Sequence, residues 1–228
     1  MPDTPQDPRR DMDADSGVPR DASADTASDS ARQLRAHRTG TLLCDGTPWP
    51  RKFIIDGRDG TFVMPADRAF FEAEETVLWL PAERFDAIQA LSSVHEIEDP
   101  YDEAKDRYLA YHGKADAARW ARLAIESARI GGDVLDGDEL RITNALRDAE
   151  PKLCKLFNTE PVALADLCNA MLGARPLDPL AVGVDEDGVD VRAGVGIMRL
   201  DFPRRARDAD DALSMSRGLL SPPLDADR

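Results

Sequence analysis

The sequence predicts an α+β protein: a mostly β region, then two helices, a three-stranded meander and a closing helix. Three observations carry this reading. Between Thr39 and Leu80, short apolar and β-branched runs are punctuated by Asp45-Gly46 and Asp59-Gly60, both strong turn signals. From Asp148 to Leu172 the apolar spacing shifts to three and four, the helical period. From Ala181 it returns to two, and it ends on one more helical face. Two modules therefore join near Asn144.

In chain order, residues 1–36 are Asp, Ser, Ala and Pro with almost no large apolar side chain. Such a segment does not offset its ordering entropy by burial and is expected to be a disordered acidic tail, one use of which is docking a partner. Thr41-Leu42-Leu43-Cys44 reads as a strand, with Lys52-Phe53-Ile54-Ile55 as its return after Asp45-Gly46. Thr61 to Met64 and Thr76 to Leu80 are two further strands, joined by a short helical crossover over 67–75. Pro81 to Leu91 suits a helix, with proline in its first turn and Phe85, Ile88 and Leu91 on one face. Ser92 to Glu98 reads as a strand of unclean period, and Asp102 to His112 as a polar helix. Arg119 to Ile130 alternates throughout and is read as a long strand ended by Gly131-Gly132.

Asp148 stands where an N-cap belongs, with Pro151 tolerated in the first turn and Leu153, Cys154 and Phe157 facing inward. Leu164, Leu167, Cys168, Met171 and Leu172 give the next helix a full apolar stripe that Gly173 stops. The meander follows. Asp187-Gly188 is expected to supply the two central residues of its first hairpin, both tolerating positive φ. Val189 and Val191 point one way and Asp190 and Arg192 the other, and Met198, Leu200 and Phe202 repeat that period, so one face is expected buried and one wet. Asp208 is the expected cap of the last helix, and 222–228 a flexible tail.

The totals narrow the function classes. Over 228 residues the formal charge is −15, which disfavours nucleic acid and anionic membrane surfaces as partners. No run of 18 apolar residues exists and the start carries no apolar signal core, so a cytoplasmic location is expected. Three widely spaced cysteines, Cys44, Cys154 and Cys168, point to buried reduced thiols rather than a disulfide frame or a zinc site. No nucleophile elbow, phosphate loop or dinucleotide fingerprint is present.

Asp148-Ala-Glu-Pro151 opening a helix, Gly183-Val-Asp-Glu-Asp-Gly188-Val-Asp-Val191, and Leu200-Asp-Phe-Pro203 before Asp210-Asp211 resemble a small helix–helix–sheet–helix domain. That domain occurs in haem-utilisation proteins built on the pyridoxamine-phosphate-oxidase-like split barrel, and in plant relatives that bind glutamyl-tRNA reductase. Upstream, the hairpin from Leu43 to Pro48 resembles the first hairpin of that barrel, and Arg107-Tyr108-Leu109 with His112 resembles the family's Arg-Phe-Leu-x-x-His segment. The resemblance spans roughly Thr39 to Leu220. It implies a split β-barrel over 37–143, an α+β domain over 144–221, and a homodimer holding flavin mononucleotide (FMN) or haem between subunits. The chain departs from the family at Asn158-Thr159-Glu160-Pro161, where a histidine commonly follows the acidic residue.

A flavin phosphate needs several charge-assisted hydrogen bonds near the second and third barrel strands. The candidates are Arg51, Lys52 and Arg68, although Asp67 stands where a hydroxyl donor is expected. Neighbours on a strand point to opposite sides, so at most one of Arg51 and Lys52 faces a given pocket; the other reading of both is a wet strand face. His112 is a haem ligand or proton donor in one reading, and a cap on helix carbonyls or a surface residue in the other. His37 and His95 are placed less suitably. Trp49 and Trp79 stack on a flat cofactor or belong to core and interface. Two functions follow from the resemblance: an FMN- or haem-binding protein, as oxidoreductase or haem handler, or a cofactor-free regulatory or interaction protein that kept the fold and lost the site.

Overall fold

The computed structural model describes residues 22–81, 87–115, 119–194 and 196–221. Helix α1 (Ala22–Arg35) leads into a strongly curled antiparallel half-barrel. Its strands are β1 (Thr39–Cys44), β2 (Thr47–Lys52), β3 (Ile54–Ile55), β4 (Phe62–Ala66), β5 (Thr76–Leu80), β6 (Ile88–Glu96), β7 (Arg119–Ile130) and β8 (Asp133–Asp136). They lie in the order β2-β1-β5-β6-β7-β4-β3, with β8 also on β7. β7 is the spine. It pairs with β6 along one edge and with β4 and then β8 along the other; Ala121 and Leu123 are buried before a bulge at Glu126 shifts the alternation by one, and Ala128 after it. The turn into β2 is the Asp45-Gly46 hairpin, with φ of 48° and 78° as this tight turn requires. Short α2 (Arg68–Glu72) crosses to β5, and α3 (Glu103–His112) crosses from β6 to β7.

Downstream come α4 (Glu150–Asn158), α5 (Pro161–Leu172), the meander β9 (Leu180–Asp185), β10 (Gly188–Ala193) and β11 (Gly196–Asp201), and α6 (Ala209–Leu220). This is the expected helix–helix–sheet–helix order. Leu153, Phe157, Leu164, Cys168, Val189 and Leu200 form its core, separate from the half-barrel core around Leu42, Phe53, Phe62 and Leu78. A third cluster joins the two: Tyr108 and Tyr111 of α3 pack with Ile54 and Val63 on one side and Val182 and Ile197 on the other. β9 is an edge strand whose exposed backbone is met by side chains. Asn158 bonds both backbone groups of Ala181, Glu150 accepts from Val184 N, and Asn144 donates to Val184 O. These contacts leave that edge unavailable for pairing with another strand. Among the described residues no helix is long and apolar enough to cross a membrane.

Several expectations are corrected. Residues 22–35, expected disordered, are helix α1; Leu34 is fully buried in the half-barrel core, and Arg35 and Arg38 are buried on acidic partners, so ionic contacts replace the missing apolar stripe. Residues 1–21 and 222–228 lie outside the described residues. The helix expected over Pro81 to Leu91 is, where described, the start of β6, because Ile88 and Leu91 pair with Leu80 and Val77 of β5; 82–86 lie outside the described residues. Gly131-Gly132 does end β7 at Ile130, as expected, and with Gly131 at φ of 62° turns the chain back into β8, a strand that was not expected. α4 has Ala149 at its N-cap with no side-chain cap bond, and Asp148 is exposed. In the meander, Gly188 pairs with Asp185, so the two-residue turn is Glu186-Asp187. Gly188 is needed for space: a Cβ there would overlap Leu200 O. Asp208 does cap α6, accepting from Asp211 N at 2.8 Å.

Candidate functional site

The face of β10 expected to be wet is covered. Asp190 is only 2% exposed. It accepts from Arg38, from the Tyr111 hydroxyl at 2.9 Å and from Arg199 at 3.2 Å. Around it Arg35 binds Glu186 and Asp187, and Arg199 binds Asp185. Burial alone would raise the Asp185 carboxyl, but the charge and hydrogen bonds of Arg199 hold it down at about 2. The sequence signal for this cluster was Arg32, Arg35 and Arg38, three residues apart at the end of the segment that reads as disordered and just beyond it. All the charges here are matched within the protein. The cluster clamps α1, α3 and the meander together.

The other face of α3 forms a site. Asp102 caps the helix by accepting from Ala104 N, and Gly113, at φ of 81°, ends it with a bond to Leu109 O. Four residues apart on the helix, Tyr108 and His112 share one face, their rings 4.6 Å apart, and Tyr108 also meets Trp120 edge-on at 5.1 Å. Opposite them stands the end of β2, with Trp49, Arg51 and Lys52. Together with Lys114, Pro65 and Asp67 these residues line a cleft of about 520 Å³. A second cleft, of about 570 Å³, lies between α1 and the β5–β6 region and holds His37, but among its described lining residues it gathers neither arginine nor lysine.

Of the residues singled out from the sequence, Trp49, Arg51, Lys52 and His112 therefore converge. Arg68 does not. It is exposed and pairs with Glu72 one turn along α2, because Asp67 takes Arg51 instead. Arg51 and Lys52 both line the cleft, and the alternation of β2 persists through them, Arg51 being half-buried and Lys52, paired with Thr39 at the end of the strand, exposed. Trp79 is on β5 and His95 is exposed on β6, and neither lines the cleft. Tyr108, Lys114 and Pro65 were not singled out. The signal for the first was in hand, since Tyr108 stands four residues before His112 on one helix.

Arg51 is held on several sides. It donates to Pro50 O at 2.9 Å and to Asp67, and its guanidinium lies 5.3 Å from the Trp49 ring and 4.8 Å from Phe70. Trp49 and Phe70 meet edge-on at 5.6 Å. His112 Nε2 is 2.9 Å from Phe53 O. A carbonyl oxygen only accepts, so Nε2 carries the proton and Nδ1 keeps the lone pair. Burial lowers the His112 pKa; the Phe53 carbonyl opposes this, and the charges of Lys52 and Arg38 add to it. The imidazole is thus neutral at pH 7. The cleft combines aromatic walls, three cationic side chains, the Asp67 carboxylate on one of them and a neutral imidazole.

The chain is similar in structure to the protein Atu2129 of Agrobacterium tumefaciens, a protein of unknown function. The TM-score is 0.66 at 21% identity, over 85% of this chain and 96% of that one. A haem-binding protein from Mycobacterium smegmatis aligns over 89% of this chain and 98% of that one, at 16% identity and a TM-score of 0.40, a similarity too low to bear on this chain. No protein-family model and no curated protein matches the chain. What this protein shares with Atu2129 is its fold.

Proposed function

We propose that the protein binds haem in the cleft between α3 and the end of β2. The observation that carries this reading is the convergence of Trp49, Tyr108, Lys52, Lys114 and a neutral His112 on one cleft of about 520 Å³, within the size range of cofactor sites. The resemblance to haem-utilisation proteins points the same way. The indole and phenol would flank the macrocycle, Lys52 would meet one of its carboxylates, and His112 would offer Nδ1, its orientation fixed by the Nε2 bond to Phe53 O. Haem suits this set better than FMN. Among the described residues no serine or threonine lines the cleft, and its arginine is engaged by Asp67, whereas a phosphate dianion calls for several converging donors. By the same resemblance a second copy of the chain would close the open side of the cleft.

The test is titration of the purified protein with haemin, followed at the Soret band. Saturable uptake at one site per chain or per dimer is expected, with H112A shifting the band and K52A weakening uptake several-fold. No saturable uptake would refute the reading and leave the cofactor-free interaction protein, which the Arg51–Asp67 pairing favours.

A further inference from the structure

Asp67 holds no part of the haem in that reading, yet it stands on the wall of the cleft. It occupies the N-cap position of α2, where an aspartate ordinarily accepts from the first turn, and its side chain makes no cap bond. The carboxylate turns instead to Arg51. Nor is this a contact forced by burial, since the Asp67 side chain is 53% exposed. Arg51 is less free to move: the Pro50 carbonyl holds it along the strand and Trp49 and Phe70 flank its guanidinium. The arginine therefore presents its charge to the cleft with a carboxylate already seated on it.

We propose that Asp67 is the specificity-determining residue of this cleft, excluding ligands anchored by a phosphate dianion and admitting those held by carboxylates and ring contacts. The proposal builds on the cleft being a cofactor site. A phosphate that approached Arg51 would lie against the Asp67 carboxylate, and like charges at contact distance in a half-buried site repel strongly. It would find no hydroxyl in compensation, because among the described residues the cleft has no serine or threonine. Lys52 remains for a carboxylate that need not approach Arg51. An acid in place of a hydroxyl donor thus converts a potential phosphate seat into a filter.

Three probes separate the possibilities: FMN, riboflavin (the same ring without the phosphate) and haemin, each titrated against the wild-type protein, D67N and D67S. The wild type is expected to bind FMN no better than riboflavin. D67N and D67S are expected to prefer FMN over riboflavin by about tenfold or more, with haemin affinity changed less than threefold. Asn and Ser both remain good N-cap residues, so neither variant endangers the fold. An FMN-to-riboflavin ratio unchanged by both variants, or a wild type that already prefers FMN, would overturn the role given to Asp67. A wild type that takes up no haemin would sink the haem reading instead, while the flavin ratio still decides the role of Asp67.

Discussion

Arg107 on α3 and Glu150 on α4 form a two-pronged ion pair, Nη1 to Oε2 at 2.7 Å and Nη2 to Oε1 at 2.8 Å. The pair ties the helix that walls the cleft to the helix that opens the downstream unit. Glu150 Oε1 accepts in addition from Val184 N on the β9 edge at 3.0 Å, and the Glu150 side chain is 9% exposed. Glu150→Ala leaves a largely buried guanidinium and a backbone N–H without an acceptor, which should cost about 3 kcal/mol. Arg107→Ala should cost a similar amount. Urea unfolding at pH 7 of both single variants and the double variant is the check. The double should fall short of the sum by about 1 kcal/mol or more; strict additivity would show that the two residues act separately.

Much of the fold was legible because the relevant signals are local. β5 alternates cleanly, β4 is a short apolar run buried throughout, β7 alternates over its first half, α5 carries its stripe, and the Asp45-Gly46 turn forms as its residues demand. What escaped depends on partners far along the chain. α1 has one large apolar residue in its last turn, and Arg35 finds its carboxylates 151 and 152 residues downstream at Glu186 and Asp187. β6 carries Ile88 and Leu91 at a helical spacing, but pairing with β5 and β7 decides its state: Ile88, Ala90 and Ser92 alternate inward and Leu91 is left exposed. Asp190 alternates as a solvent-facing residue would; only the arrival of Arg38 and Tyr111 makes its burial tolerable. For the cleft, residue types named its cations and its histidine, whereas the pairing of Arg51 with Asp67 rather than with a ligand depended on the path of α2.

Stability should fall with acid in two stages. Burial, aided by Arg38 next to both rings, lowers the pKa of His37 and of His112. A histidine whose folded pKa lies below its ordinary 6.5 binds its proton more readily unfolded, so its contribution is complete above pH 6.5 and is lost as pH falls below it. Asp56 and Asp185 follow. Burial raises each carboxyl, but Arg58 and Arg122 hold the first, and Arg199 the second, at about 2 rather than 3.8. Each then contributes about 2 kcal/mol above pH 4, lost as pH falls from 4 towards 2. Denaturant midpoints measured from pH 8 to pH 2.5 should show a plateau above pH 7, a shallow decline below 6.5 and a steeper one below 4. In an H37N/H112N variant the decline between pH 6.5 and pH 5 should flatten; an unchanged slope would mean that other groups carry it.

Gly183 on β9 and Tyr111 on α3 leave each other no room. Gly183 is the cross-strand partner of Asp190, and a Cβ on it would overlap the Tyr111 hydroxyl. That hydroxyl cannot swing aside at no cost, for it donates to Asp190 at 2.9 Å and accepts from Arg107 Nη2 at 3.1 Å. Gly183→Ala must therefore displace α3 or break those bonds, and should cost about 2 kcal/mol, in the range of overpacked cores. Tyr111→Phe takes away the colliding oxygen, though the ring carbon beneath it is still only 2.8 Å from the new Cβ. G183A/Y111F should accordingly be less destabilised than the two single losses added together, by urea unfolding. The same helix carries Tyr108 and His112 into the cleft, so G183A should also weaken haemin uptake several-fold without altering a single cleft residue. Wild-type stability and uptake in G183A would show that α3 and β9 do not make the contact on which this coupling depends.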